Sequence, residues 1–409
     1  MHQGDPTPGG SEGPAAFPIV NTHVHLPPNF SAFTTAEDAV ATAAAEGARV
    51  VGASNFHDHR VYARFDAAAR AAGILPLFGL EFISVVDELA ADGVKVNDPG
   101  NPGRMYLCGK GISPFAEPTS LAREIAGAAR ANDEARAGAI VARLRDHFGA
   151  HGLRTSLDDG VIIDDVAERA DVPREWVVLQ ERHIAMAFQE ALFLQAAPDR
   201  RADVLARVYG GPAAAPVEDA VAVQGEIRSR LMKAGRVAFV PESPLTFERA
   251  YRLVLERDGI PCYPTLADGV DPVCPWEEPP AALAGRLLER GIHMAELIPE
   301  RNDRAVVDAY VSAFRDAGIV VMAGTEHNTQ QRIPIAPRCR DALPPSGMAR
   351  SLFWEGTCVV AAHQHERANG RPGFVDADGR PAAGFPDTES RIRWFRELGA
   401  DLITNGEAQ

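Results

Sequence analysis

What this chain lacks narrows its chemistry before any motif is read. Its five cysteines, Cys108, Cys262, Cys274, Cys339 and Cys358, are scattered with no Cys-x-x-Cys pair. An odd set in a chain this long argues against a disulfide framework and for a reducing, cytoplasmic compartment. No apolar run approaches the roughly 18 residues of a membrane span; stretches such as Gly318 to Gly324 are strand-length. Residues 1–16 hold no Lys, no Arg and no apolar stretch of the signal-peptide kind, and are expected to form a disordered lead-in. Also missing are the Gly-x-x-x-x-Gly-Lys phosphate loop, a Gly-x-Gly-x-x-Gly after a strand, the Gly-x-Ser-x-Gly elbow and His-Glu-x-x-His. Phosphate-loop hydrolases, Rossmann dehydrogenases and serine hydrolases are thereby disfavoured. Positive charge is short: 41 Lys plus Arg against 56 Asp plus Glu leave a net charge of −15, the wrong sign for a protein that grips duplex nucleic acid by neutralising phosphates. A soluble protein with a small-molecule partner is expected, with neither membrane nor nucleic-acid duplex as partner; homo-oligomer formation stays open.

What is present is ordinary globular composition, 46% hydrophobic and 24% charged over 409 residues, enough for a sizeable core in one or two domains. From Phe17 the pattern runs strand (Phe17 to Val20), helix (Thr35 to Gly47), strand (Arg49 to Ala53), helix (Tyr62 to Gly73), strand (Leu75 to Phe82). The same alternation returns from Thr246 to Gly324. Repeated units of this kind imply a parallel sheet or barrel. Between them, 122–233 has an Ala-rich helical pattern, and 87–111 and 329–347 read as loops rich in Gly, Pro and turn formers. The expected organisation is a barrel from 17–121 and 234–346, a helical insertion at 122–233, and a helical C-terminal extension at 347–409.

The chemistry gathers at predicted strand ends, where barrels build their sites. His23-Val24-His25 follows the first strand; residues i and i+2 of a strand face one way, so two imidazoles there can share a metal ion. The second strand runs into Ser54-Asn55-Phe56-His57-Asp58-His59; either histidine could be a ligand, with His57 the favoured one and His59 a residue behind the ligands, a solvated residue or a substrate contact. Glu81 interrupts the apolar Gly79-Leu80-Glu81-Phe82; burying a lone carboxylate is costly, so a metal or cation is expected beside it. The last strand delivers Glu326, His327 and Asn328 to the same rim. Tyr263, at another strand end, could serve a developing oxyanion or act as a general acid, or be structural. Arg332, Arg338 and Arg340 sit in the following loop, suited to phosphate or carboxylate recognition or simply solvated. His363-Gln364-His365-Glu366 lies in a helical stretch, where i and i+2 face apart. The mixed nitrogen and oxygen set suits zinc, manganese or iron, one to three ions per chain.

These residues, and most of 18–328 around them, resemble the polymerase-and-histidinol-phosphatase (PHP) family, metal-dependent phosphoesterases on a distorted seven-stranded (β/α)7 TIM-like barrel. The family's His-x-His is similar to His23 and His25, its Thr-Asp-His to Ser54-Asn55-Phe56-His57, its Gly-x-Glu to Gly79-Leu80-Glu81, and its Gly-Ser-Asp-x-His to Gly324-Thr325-Glu326-His327-Asn328. Leu245 to Glu248 and Gly259 to Pro264 resemble the helix and strand leading into its Ala-His-Pro. Glu181-Arg182-His183-Ile184-Ala185 resembles an Arg-x-His-x-Ala helix of small nucleotide-phosphatase members, which implies a substrate-contacting role for His183. Glu296 falls in the family's Gly-x-x-x-Glu strand, behind the ligands.

The chain departs from that pattern at Tyr263 and Asn328, where the family has His, at Glu326, where it has Asp, and at Asn29, Phe30 and Ser31, where an Asp or His is expected. His23, His25, Glu81 and Glu326 complete a set for one ion; His57, His183 or His327 would be needed for more. Three readings follow. The first is hydrolysis of a small, anionic phosphate ester by metal-activated water, with Tyr263, His327 and His183 in catalytic roles and His59, Asn328, Arg332 and Arg338 on the substrate. The second is a single-metal hydrolase, lyase or isomerase of a non-phosphorylated carbonyl or sugar-like substrate, a class that includes amidohydrolases, which also begin with His-x-His. The third is a non-catalytic ligand-binding barrel.

Overall fold

A computed structural model describes residues 17–405; the expected lead-in lies outside the described residues. Eight strands form one mixed sheet: β1 (Ile19–Val24), β2 (Ala48–Phe56), β3 (Leu75–Val85), β4 (Arg104–Lys110), the two-residue β5 (Leu245–Thr246), β6 (Ile260–Thr265), β7 (Met294–Leu297) and β8 (Val320–Ala323). Their order is β1-β2-β3-β4-β6-β7-β8, with β5 paired to β3. The sheet curls until its ends meet, through a parallel bridge between Val24 and Glu326 and a 2.8 Å bond from His25 N–H to the Glu326 carbonyl. The result is a nearly closed, distorted α/β barrel.

Local chemistry explains the parallel run β1-β2-β3. Thr35 caps helix Ala36–Ala45, its hydroxyl accepting from the Asp38 N–H at 3.1 Å. Helix Tyr62–Ala71 is stopped at Gly73, whose φ of 69° is left-handed backbone that favours glycine. One strand departs from expectation. Part of the predicted loop at 87–111 is β4, antiparallel to both β3 and β6. Side chains alternate along a strand, so Tyr106, Cys108 and Lys110 share the face turned into the barrel; because β4 runs backwards, Tyr106 reaches the pocket and Lys110 the layer beneath.

Three cores hold the molecule. One lies between the barrel and its outer helices, built on residues such as Phe65, Phe78, Leu107 and Phe314. A second, with Leu144, Phe148, Phe188 and Ile227, lies within the helical insertion. A third joins the lower barrel lumen (Val20, Val50, Met294, Met322) to the C-terminal helices Gly347–Ala368 and Thr388–Asn405, through Cys358, Val359 and Phe395. Helix Ser120–Ala150 belongs to two cores: Ala122, Ile125 and Ala129 pack on the barrel, Ile140 to Phe148 in the insertion. Among the described residues no helix is long and apolar enough to cross a membrane.

Candidate metal centre

Inside the barrel, three donors come together, His23 and His25 at the end of β1 and Glu81 from within β3. The Nε2 atoms of His23 and His25 lie 3.3 Å apart, and Glu81 Oε2 lies 3.5 Å from His25 Nε2. All three residues are buried, and their ligand atoms lie within 4.8 Å of one another. Two nitrogens at about 2.05 Å from one tetrahedral ion would sit about 3.3 Å apart. His25 Nδ1 is buried with no hydrogen-bond partner. Burial, then the charge of His23, pushes the His25 pKa down to about 3, so its ring is neutral and keeps a lone pair. Burial, with Glu326 and Glu296 nearby, holds the Glu81 carboxyl well above the usual carboxylate range. A neutral His25 ring, with His23 and a carboxyl short of positive charge beside it, fits one divalent cation.

A layer of charge lies beneath. His23 Nδ1 donates to Glu296 Oε1 at 2.9 Å, and Lys110 Nζ lies 2.7 Å from Glu296 Oε2. Lys110 also donates to Ser54 Oγ at 2.9 Å and to the Thr22 carbonyl at 3.2 Å. Burial opposes ionisation of Glu296, yet Lys110 and His23 outweigh it and keep the carboxyl well below its usual range.

Glu326 lines the same pocket, but Arg301 forks onto both its oxygens and Asn328 Nδ2 donates to one of them. Glu326 and His327 have φ of 59° and 51°, backbone that non-glycine residues adopt at a cost. That turn sends Glu326 inward and His327 outward. Gly324 permits the crossing of β8 over β1, since a Cβ there would fall 2.3 Å from His23 Cβ.

Above the donors the barrel and insertion enclose a cavity of about 350 Å³, within the usual range for small-ligand sites. His57 lines it, stacked on Phe56 and Phe82, with Nδ1 2.7 Å from Asp133 Oδ2 of the insertion. Glu181 gathers Arg136, Arg228 and Lys233 at 2.6, 3.5 and 2.6 Å. Arg182 has no hydrogen bond or ion pair among the described residues. Burial and the neighbouring Arg228 lower its pKa to about 10, and Arg228 Nε is itself buried and unpartnered.

Several residues expected here are placed elsewhere. Along β6 Cys262 faces the lumen, so Tyr263 faces the outer core, where its hydroxyl donates to Glu277 Oε1 at 2.7 Å. His327 stacks on Phe33, accepts from the Thr325 hydroxyl at 2.7 Å and donates to the Ile333 carbonyl at 3.0 Å, so both ring nitrogens are used. His183 Nδ1 accepts the Gln180 N–H at 3.1 Å, closing a capping box on helix Glu181–Gln195; its neighbour Arg182 lines the pocket in its stead. His59 Nε2 accepts from Arg257 at 2.8 Å outside the pocket. Arg332 pairs with Asp38, Arg338 bonds the Ala342 carbonyl at 3.3 Å, and Arg340 pairs with Asp268 and Asp303; all three are exposed. His363 donates to the Asp258 carbonyl and accepts the Phe374 N–H, both structural bonds. Sequence reasoning missed Lys110, Asp133, Arg182 and Arg301. Lys110 had a signal: it closes the run Leu107-Cys108-Gly109 as Glu81 interrupts its own.

No family model and no curated protein matches this chain. Its fold is similar to that of an amidohydrolase from Chromobacterium violaceum, solved with sulfate and without metal, at TM-score 0.50 and 14% identity over 82% of this chain and 95% of that one. It is similar also to a protein assigned as a metal-dependent phosphoesterase from Bifidobacterium adolescentis, at TM-score 0.53 and 15% identity over 84% and 97%. The α/β barrel fold of this chain is therefore one found among solved hydrolase structures.

Proposed function

We propose that this protein is a metal-dependent hydrolase of a small anionic ester, with phosphate esters the first class to test. The observation that carries this reading is the buried trio His23, His25 and Glu81, of which His25 and Glu81 line a ligand-sized cavity. The two fold neighbours, named for metal-dependent phosphoester and amide-type hydrolysis, support it. A divalent zinc, manganese or iron ion held by those three residues would lower the pKa of a water or polarise the scissile group.

The chain's own residues supply the rest. Arg182 and Arg228 face the cavity with donors to spare and bind the substrate's anionic end. The sulfate found in the amidohydrolase neighbour is in keeping with such a ligand. Arg301, clamped to Glu326, adds fixed positive charge where charge develops in the reaction. His57, with Nδ1 against Asp133, is placed to pass a proton to the leaving oxygen. The insertion roofs the cavity and limits water.

Elemental analysis of protein purified without chelator, beside a His23→Ala, His25→Ala variant, is the test. About one ion per chain, lost in the variant, with turnover on a panel of phosphomonoesters and diesters, is the expected result. Metal-loaded protein inert across that panel refutes the phosphoester reading; turnover of uncharged amides or esters instead moves it to the amidohydrolase-like class.

A further inference from the structure

We propose that Lys110 is a positioning residue of this centre: working through Glu296, it locks His23 in the tautomer whose Nε2 lone pair faces His25 and Glu81. The inference rests on the metal-binding reading above and assigns a role to a residue no ligand touches.

A carboxylate and a backbone carbonyl can only accept, and an ammonium can only donate. Lys110 Nζ donates to Ser54 Oγ at 2.9 Å and to the Thr22 carbonyl at 3.2 Å, and forms an ion pair with Glu296 Oε2 at 2.7 Å. Glu296 Oε1, 2.9 Å from His23 Nδ1 against the 3.5 Å of Lys110 Nζ, can only accept, so Nδ1 carries a hydrogen, and in the neutral ring that metal ligation requires Nε2 is then the bare nitrogen. His23 has side-chain exposure of 1%, Glu296 of 0% and Lys110 of 3%, so the pair is shielded from bulk solvent.

Lys110 contributes twice. Its charge compensates a carboxylate that would otherwise be buried alone at the bottom of the barrel. Its bonds to Thr22 on β1 and Ser54 on β2 hold the ammonium, and with it Glu296 on β7, at fixed height under the His23 ring. Partners behind metal-ligating histidines orient the ring in this way, and losing one costs about 10- to 100-fold in metal affinity. The reversed strand β4 is what allows a residue from between β3 and β6 to reach this place.

Two measurements test it. Nitrogen chemical shifts of 15N-histidine-labelled, metal-free wild-type protein, with His23 assigned through His23→Gln, report its tautomer directly. Hydrogen on Nδ1 is expected; hydrogen on Nε2 overturns the proposal without any Lys110 variant having to fold. Zinc affinity of Lys110→Met and Glu296→Gln is then measured by competition with a chromogenic chelator, on protein shown by circular dichroism to be folded. A loss of about 10-fold or more in both is expected, with the Nδ1–H signature weakened in each. Unchanged affinity in folded Lys110→Met overturns the positioning role while leaving the hydrolase reading intact. Wild-type protein that takes up none of zinc, manganese or iron removes the hydrolase reading, and the tautomer measurement still decides the hydrogen-bond assignment.

Discussion

His183 offers a prediction that turns on where its ring sits. Burial alone lowers its pKa from 6.5 to about 3. Between those values the unfolded chain binds a proton that the folded chain refuses, so stability falls as the pH drops from 6.5 toward 3 and is unaffected by this residue well above 6.5. At 1.36 kcal/mol per pKa unit, this one histidine costs about 2 kcal/mol of stability on going from pH 7 to pH 5. His59, His293 and His363, each lowered to about 4 with burial the leading cause, act in the same direction. The wild-type loss is therefore larger than the His183 share, and a difference measurement isolates that share. His183→Gln keeps an acceptor for the Gln180 N–H but cannot take up a proton. Urea denaturation of both proteins at pH 7 and pH 5 should show the variant losing about 2 kcal/mol less than wild type over that interval. Equal losses would refute the placement of His183 as a buried neutral cap and restore it as a titrating residue of the pocket.

Tyr263→Phe removes one bond to a buried carboxyl, so thermal or urea melts should show a loss of about 1–2 kcal/mol, with kcat unchanged on whatever substrate is found; a fall in kcat would return Tyr263 to the site. Arg182→Met should raise KM for an anionic substrate about 10- to 100-fold, the equivalent of a charge-assisted hydrogen bond of roughly 1.5–3 kcal/mol, while kcat moves by only a few-fold. Gly324→Ala places a methyl group where His23 Cβ already lies, so β1 and β8 must part and zinc affinity, measured by chelator competition, should fall on the order of 10-fold.

The parallel part of the barrel was legible because each strand and helix carries its own period and its own stop, as at Thr35 and Gly73. Strand β4 was not. An antiparallel strand needs no crossover helix to announce it, and Arg104–Lys110 follows a stretch rich in Gly, Pro and Asn that reads as loop. At the site, the strand-end rule led to His23, His25, Glu81 and Glu326 as rim residues, yet it says nothing about direction once a strand has ended. Two successive left-handed residues, Glu326 and His327, turn the first into the pocket and the second, also expected at the site, away from it. Arg182 and Asp133 were beyond reach for a different reason. They enter by the docking of the insertion on the barrel, a contact between segments separated by about a hundred residues that no local pattern records; Arg301 enters by a short turn after β7 that carries no motif.

Helix Ser120–Ala150 has a mechanical consequence. At 1.5 Å per residue it is a rod of about 46 Å, anchored at one end in the barrel core and at the other in the core of the insertion. Asp133 lies between the two anchorages, facing His57. A roof on a hinge could swing freely over the cavity; a roof built on a shared beam tilts only by bending that beam or by giving up packing at one end. The His57 to Asp133 distance is thus set by the stiffness of a helix, and a substitution that kinks the span between Ala129 and Ala137 would loosen that pair and the cavity roof together.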